Sequence, residues 1–147
     1  MLALLLSTAC AGTFFGASLY VNLVEHPARV SCGPELAVGE FAPSYKRGAV
    51  MQASLAIAAL FLGVTAAWQL GDRFVAAAAV FLGSVVPYTL LVIFPTNRQL
   101  LDPSLDASSA RASELLAHWN NLHAVRSALS AAAFGLLLWR IAQHGLR

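Results

Sequence analysis

Four apolar stretches alternate with polar segments along the chain. Residues 2–24, 48–68 and 74–94 hold no charged side chain, and a shorter uncharged stretch covers residues 127–139. The hydrocarbon core of a bilayer is roughly 30 Å thick, and about 20 helical residues cross it. The first three stretches are long enough alone, whereas the fourth has to include polar residues upstream of it. The pattern therefore predicts four transmembrane helices, at about 2–24, 48–68, 74–95 and 119–141.

The segments between these helices differ in length. Only "QLGDR" (69–73) separates the second and third helices, whereas residues 25–47 and 96–118 are long enough to form loops. Pro27, Pro34 and Pro43 argue against a long helix in the first loop, because proline lacks a backbone donor. In an antiparallel order both long loops lie on the same side. We expect an all-α, antiparallel four-helix transmembrane bundle, formed as a single membrane domain by residues 1–147.

The composition is typical of a membrane protein. Hydrophobic residues make up 59% of the chain and charged residues only 11%, whereas soluble domains contain about 25% charged residues. The net charge of +2, without a basic cluster, offers no surface for a nucleic acid. The expected partner is therefore the lipid bilayer. The sequence does not indicate an oligomeric state.

The distribution of basic residues favours one orientation in the membrane. The side with the long loops carries six Lys and Arg residues and the opposite side carries three: Arg29, Lys46, Arg47, Arg98, Arg111 and Arg126 against Arg73, Arg140 and Arg147. Short loops rich in Lys and Arg tend to stay in the cytoplasm. We expect a multi-pass protein of a bacterial cytoplasmic membrane whose long loops are cytoplasmic.

Polar side chains are concentrated at the end of the predicted bundle that carries the long loops. On helix four, Trp119, His123 and Arg126 are spaced at i, i+4 and i+7 and share one face. The other helices contribute Asn22, Glu25 and His26, then Tyr45 and Gln52, then Tyr88 and Asn97. The opposite end has few such groups. We therefore expect a functional site at the end with the long loops.

Arg126 is the charged residue placed deepest in the predicted membrane region. It precedes Trp139 by 13 residues, which is roughly 20 Å of helix. If Trp139 marks the far interface, Arg126 lies about a third of the way into the core, where a cation faces the bundle interior and has a partner. We predict a structural ion pair between Arg126 and Glu25. The alternative is that Arg126 extends back to the lipid headgroups.

Other candidates also have structural interpretations. His26 stands at a helix C-terminus, where a cationic imidazole suits the helix dipole. Trp119 is compatible with the aromatic belt of membrane proteins, and Asn97 with a helix cap. Gly12 and Gly16 form a G-x-x-x-G pattern that favours close helix packing.

Four segments together resemble the anthrone oxygenase-like membrane family: "LVEHPARV", "SYKRGAVMQASLA", "PYTLLVIFPTNRQLLD" and "WNNLHAVRS". The family's pattern of H-P, P-T-N and W-x-x-x-H-x-x-R is matched by His26-Pro27, Pro95-Thr96-Asn97, and Trp119, His123 and Arg126. The resemblance covers residues from about 16 to 126 and includes the four-helix plan. Fungal relatives oxidise anthrones to anthraquinones, whereas most bacterial relatives have no assigned activity. The resemblance implies an oxygenase that acts on a lipophilic anthrone- or quinol-like substrate and O₂ without a cofactor.

That chemistry needs a base, an oxyanion site and an apolar pocket. Histidine titrates near neutral pH, so His123 or His26 is the expected base. Arg126, Asn97 and Tyr45 are candidates to stabilise the negative charge. The expected substrate-binding residues are Trp119, Tyr45, Tyr20, Tyr88 and Gln52.

Two other functions are compatible with the sequence. His26, His123 and Glu25 are alternative ligands for Fe, Cu, Zn or haem in a membrane redox protein, although neither H-E-x-x-H nor C-x-x-C is present. The chain is also compatible with a non-enzymatic membrane protein that binds a small molecule or assists assembly. Such a protein would tolerate conservative changes of His123.

Overall fold

A computed structural model describes the backbone of residues 1–145 and the side chains of residues 1–143; Arg147, counted above, lies outside them. It contains four continuous helices: α1 (Leu2–Ser31), α2 (Pro34–Leu70), α3 (Arg73–Leu100) and α4 (Ala110–Gly145). Each helix is long and apolar enough to cross a membrane, and the described residues form no strand. The predicted all-α bundle is confirmed, and the chain is an integral membrane protein.

The four helices pack mainly against their neighbours in a ring, and α2 also contacts α4 across it. α1 packs against α2 and α4, and α3 packs against the same two helices. Two short turns connect α1 to α2 and α2 to α3, and each contains a glycine with positive φ, Gly33 at 95° and Gly71 at 61°. Residues with a Cβ rarely adopt this conformation. The remaining connection is the loop over residues 101–109.

The predicted loops over 25–47 and 96–118 are mostly helical, which corrects the expected boundaries. Pro27 and Pro95 stand just after two π-helical turns, Val21–Glu25 and Thr89–Ile93. A π turn inserts an extra residue and changes the local hydrogen bonding, so a proline is accommodated without ending the helix. Pro34 occupies the first turn of α2, where proline is favoured.

The helices are longer than the membrane is thick. α2 has 37 residues, which is about 55 Å of helix against a hydrocarbon core of roughly 30 Å. Apolar side chains face outward along the spanning part, including Phe61, Trp68 and Leu91, which are 68%, 85% and 76% exposed. Such a surface suits lipid. The extra turns project from the membrane at the polar end and bring side chains of all four helices together.

Candidate functional site

A cavity of about 210 Å³ lies between the four helices at the polar end of the bundle. Small-molecule sites usually have volumes of about 300 Å³ or more, so this cavity suits a compact ligand. Seven of the residues predicted from the sequence line it: Glu25, Tyr45, Gln52, Asn97, Trp119, His123 and Arg126. Most of the site residues predicted from the sequence therefore converge on this cavity.

Three predicted residues do not line this cavity. Tyr20 is 55% exposed on the outer surface. The hydroxyl of Tyr88 donates to the backbone carbonyl of Leu122 at 3.2 Å. His26 lies in a neighbouring cleft, where its ring packs 5.3 Å from that of Trp119. The structure thus favours His123 over His26 as the residue that faces a ligand.

Asn22 orients the imidazole of His123. The Nδ2 amide of Asn22 donates to the backbone carbonyl of Asn120 at 3.1 Å, which identifies its Oδ1 as the acceptor. His123 Nδ1 lies 2.9 Å from that Oδ1 and has to carry the proton. The Ser127 hydroxyl donates to the same oxygen at 2.6 Å. In neutral His123, Nε2 therefore carries a lone pair, and no hydrogen bond to it occurs within the described residues.

Trp119 orients the amide of Asn97 in a similar way. Trp119 Nε1, which is only a donor, lies 2.8 Å from Asn97 Oδ1. The Asn97 Nδ2 group is then the free donor of a fully buried side chain that lines the cavity. The Trp119 ring also stacks on His123, with ring centroids 4.8 Å apart. One indole thus contacts both the Asn97 amide and the His123 imidazole.

Arg126 has a different partner from the one predicted. Its Nη2 group donates to Gln52 Oε1, and its guanidinium lies 4.9 Å from the centre of the Phe14 ring. Its Nε is buried without a hydrogen-bond partner in the described part of the chain. Glu25 pairs with Arg29 instead, since residues at i and i+4 are adjacent on one helix face. The predicted pair between Glu25 and Arg126 is therefore wrong.

Arg29 is the centre of a polar cluster between α1 and α2. Its Nη2 group contacts Glu25 and lies 3.1 Å from the Ser44 hydroxyl, which itself donates to Glu25 at 2.9 Å. Glu40 forms an ion pair with Arg29 Nε at 3.0 Å without hydrogen-bond geometry. We call Glu25, Arg29, Glu40 and Ser44 the Arg29 cluster. It joins α1 to α2 at the polar end of the cavity.

The charges around the cavity are not balanced. Arg29 pairs with Glu25, which lines the cavity, and with Glu40, which does not. Arg126 has no carboxylate at ion-pair distance among residues 1–143. The uncompensated guanidinium lines the same cavity as His123. A fixed positive charge in a site with little water stabilises an anionic ligand or an anionic transition state.

The alternative metal ligands are not brought together. Within the described residues, no group of three His, Cys, Asp or Glu side chains is placed to hold a metal ion. Glu25 is engaged by Arg29 and Ser44, and His26 lies outside the cavity. The structure therefore does not bring His26, His123 and Glu25 together as a group of three.

The sequence placed Asn22 among the polar groups at this end without a role in the site, and Arg29 and Ser127 were not predicted as site residues. Asn22 is an amide in an uncharged apolar stretch, and intramembrane polar residues usually face the bundle interior, so a signal was present. Arg29 follows Glu25 by four residues, which is a helical pairing distance. Ser127 has no local signal, because its bond to Asn22 crosses 105 positions of sequence.

The chain matches a known protein family. A family model described as anthrone oxygenase matches residues 41–136, about two thirds of the chain. The matched region contains Tyr45, Gln52, Asn97 and the Trp119, His123 and Arg126 stripe, and it begins after Glu25, Arg29 and Glu40. No curated protein and no solved structure matches the chain. The resemblance predicted from the sequence is confirmed.

Proposed function

This chain belongs to the anthrone oxygenase family, and from that premise we propose that it is a membrane oxygenase of a lipophilic aromatic carbon acid. The substrate is an anthrone- or quinol-like molecule whose activated C–H or O–H group loses a proton before reaction with O₂. One observation carries the proposal: His123 and Arg126 line one cavity, and within the described residues Nε2 of His123 has no hydrogen-bond partner and Arg126 has no carboxylate partner.

His123 is the base in this proposal. Its Nδ1–H donates to Asn22, so the lone pair on Nε2 is available to take a proton. A base has to keep one tautomer to be ready in each turnover, and the Asn22 contact selects that tautomer. Asn22 is a positioning residue, because it acts through His123.

Arg126 and Asn97 stabilise the anion. Loss of the methylene proton turns an anthrone into an enolate whose charge is mostly on oxygen. Arg126 provides a positive charge and Asn97 Nδ2 a hydrogen-bond donor at the same cavity wall. Such groups help most when they are oriented before the charge develops.

The oxidation is balanced without another reactant. The carbanion carbon gives electrons to O₂ and forms a carbon–oxygen bond, and protonation on oxygen yields a hydroperoxide at that carbon. Loss of water from the hydroperoxide forms the second carbonyl of the quinone. His123 returns its proton to the terminal oxygen of the peroxide and then removes the remaining C–H proton as the O–O bond breaks, and this proton and the released hydroxide form the water. Anthrone plus O₂ thus gives anthraquinone plus water. This reaction needs no cofactor, which stays a prediction for metal analysis and visible spectroscopy of the purified protein.

Aromatic rings provide surfaces for a flat substrate. Phe41 and Tyr45 are stacked with ring centroids 5.8 Å apart, and the edge of Trp119 meets Phe41 at 5.4 Å. Offset and edge-to-face contacts of this kind are favourable between aromatic groups. All three rings line the cavity.

The test is oxygen consumption with anthrone by purified protein in detergent. His123→Ala should lower the rate by about 100- to 10,000-fold, the usual contribution of a general base. His118→Ala is the matched control, because His118 is exposed on the same helix. His26→Ala should retain most of the activity. Wild-type turnover by His123→Ala would contradict the proposal, and ligand binding without turnover in the wild type would favour a binding protein.

A further inference from the structure

The geometry points to a sideways entrance: we infer that the cavity exchanges its ligand with the bilayer through an opening between α2 and α3. Ala49 and Ala53 border this opening on α2, and Val86 and Leu90 border it on α3. We call these four residues the lateral opening. The inference concerns the route of any ligand into the cavity, so it goes beyond the proposed function and does not require oxidation.

Two residues of the lateral opening face both the cavity and the outside of the bundle. Leu90 is 60% exposed and Ala53 is also exposed, yet both line the cavity. Their outward neighbours Val50 and Leu91 are 71% and 76% exposed, as expected for a lipid-facing surface. The cavity therefore reaches the apolar outer surface of the bundle.

The packing of α2 on α3 changes next to the lateral opening. A Cβ on Gly63 would lie 3.1 Å from the Cβ of Ala79, and a Cβ on Gly83 would lie 3.0 Å from Leu60. The two helices are thus in close contact in this half of the bundle. Toward the polar end, α3 contains the π turn Thr89–Ile93, and α2 presents small side chains to the cavity. The gap lies where regular close packing of these two helices ends.

The lateral opening lies at membrane depth. Trp68 lies near the opposite end of α2, and Ala53 precedes it by 15 residues, which is roughly 22 Å of helix. This distance is shorter than the core thickness of about 30 Å. Its border consists of Ala, Val and Leu side chains, whereas the polar end of the cavity is crossed by the Arg29 cluster. A neutral, lipid-soluble molecule can use this route, and a charged molecule is excluded by the cost of entering hydrocarbon.

Thiol labelling tests the route without any oxygen chemistry. A single cysteine is placed in the cavity as Ala56→Cys, with Cys10 and Cys32 replaced by alanine, and the protein is reconstituted in phosphatidylcholine vesicles. Two probes are compared: a lipophilic pyrene maleimide and a charged, water-soluble methanethiosulfonate. The pyrene reagent should label Ala56→Cys readily and the charged reagent slowly. Val85→Cys, from the opposite wall, provides a second reporter if the first variant folds poorly.

A bulky side chain in the lateral opening should slow labelling from the lipid. Adding Ala53→Trp should lower the pyrene labelling rate by at least about tenfold, equivalent to about 1.4 kcal/mol, and Leu90→Trp should do the same from α3. Ile57→Trp is the matched control, because Ile57 is exposed on α2 but does not line the cavity. The readout is thiol labelling and not oxygen consumption, which separates this inference from the proposed base. Equal labelling with and without Ala53→Trp and Leu90→Trp, or faster labelling by the charged reagent, would overturn it.

Discussion

Nδ1 of His123 on α4 lies 2.9 Å from Oδ1 of Asn22 on α1, a contact between residues 101 positions apart in the sequence. Asn22 is itself held by the backbone carbonyl of Asn120. A main-chain carbonyl can only accept, so the orientation of the amide, and through it the tautomer of the imidazole, follows from the backbone. The reactive nitrogen of the proposed base is thus selected by a residue outside the matched family region.

Replacement of Asn22 should change the tautomer of His123 in a protein that still folds. In Asn22→Leu, the Nδ1–H group loses its acceptor, and both neutral tautomers become accessible. We expect the ¹⁵N shifts of labelled His123 to move from one tautomer to a mixture. We expect turnover with anthrone to fall by about tenfold or more, since general-base catalysis contributes about 100-fold or more.

Asn121→Leu is the control for this change, because Asn121 is exposed on α4 and makes none of the contacts that hold His123. The Asn22 variant should also unfold more easily, since a buried polar group left unsatisfied costs about 1–3 kcal/mol. Unaltered ¹⁵N shifts of His123 in Asn22→Leu would show that Asn22 does not set the tautomer.

The substitution Gln52→Glu, next to Arg126, should raise the stability of the protein and lower its activity. Gln52→Glu would give the guanidinium the carboxylate that it lacks among the described residues. Charged hydrogen bonds contribute about 1.5–3 kcal/mol, so thermal unfolding should occur at a higher temperature. The same carboxylate would neutralise the proposed anion site, and turnover should fall by at least about 100-fold.

Gln99 and Arg111 provide the matched control for this exchange. Arg111 Nη2 donates to Gln99 Oε1 at 2.7 Å, which is the same chemistry on an exposed surface. Exposed ion pairs contribute about 0–1 kcal/mol, so Gln99→Glu should leave both unfolding and turnover almost unchanged. A Gln52→Glu protein with wild-type turnover would show that the charge of Arg126 does not act on the substrate.

The features that local chemistry determines were predictable from the sequence. An uncharged stretch of about 20 residues is stable in hydrocarbon only as a helix, and this constraint specified three of the four spans. The spacing of Trp119, His123 and Arg126 placed them on one face, which the cavity confirms. The first conclusion depends on the length of the apolar stretches, and the second depends on helical periodicity.

The features that depend on long-range contacts were not predictable in the same way. Pro27, Pro34 and Pro43 were expected to prevent a long helix over residues 25–47, but Pro27 follows a π turn within α1, Pro34 occupies the first turn of α2 and Pro43 lies inside α2. Glu25 was assigned to Arg126 by depth in the membrane, whereas the i, i+4 relation to Arg29 decides its pairing. The role of Asn22 depends on α4 lying beside α1, which no local pattern encodes.

Acid should weaken the end of the bundle opposite the cavity. Asp72 accepts hydrogen bonds from the backbone N–H groups of Phe74 and Val75, and Arg140 Nε lies 2.6 Å from its Oδ2. Burial raises the pKa of Asp72, but the Arg140 hydrogen bond and the two N–H groups outweigh it and hold the pKa below its ordinary value. The folded state therefore binds fewer protons, and the stabilisation is present above the unfolded pKa of about 4. It is lost as the pH falls through the folded pKa.

Thermal unfolding in detergent at neutral pH and at about pH 3 tests this expectation. Asp72→Asn keeps an N-cap acceptor but has no charge to titrate. The unfolding temperatures at the two pH values should therefore differ less in this variant than in the wild type. Asp102→Asn is the comparison, because the backbone and side chain of Ser104 lower the pKa of Asp102 although it is exposed. An Asp72→Asn protein whose unfolding is as pH-dependent as the wild type would assign the acid sensitivity to other groups.

The two glycines of the G-x-x-x-G pattern in α1 should respond differently to the same substitution. A Cβ on Gly12 would lie 2.7 Å from the Phe134 ring, whereas a Cβ on Gly16 would meet nothing within 4 Å. Overpacking of a core costs about 1–3 kcal/mol, and alanine is favoured over glycine in a helix by about 1 kcal/mol. Gly12→Ala should therefore lower the unfolding temperature, while Gly16→Ala should leave it unchanged or raise it. Equal effects of the two substitutions would mean that α1 and α4 are not packed through Gly12.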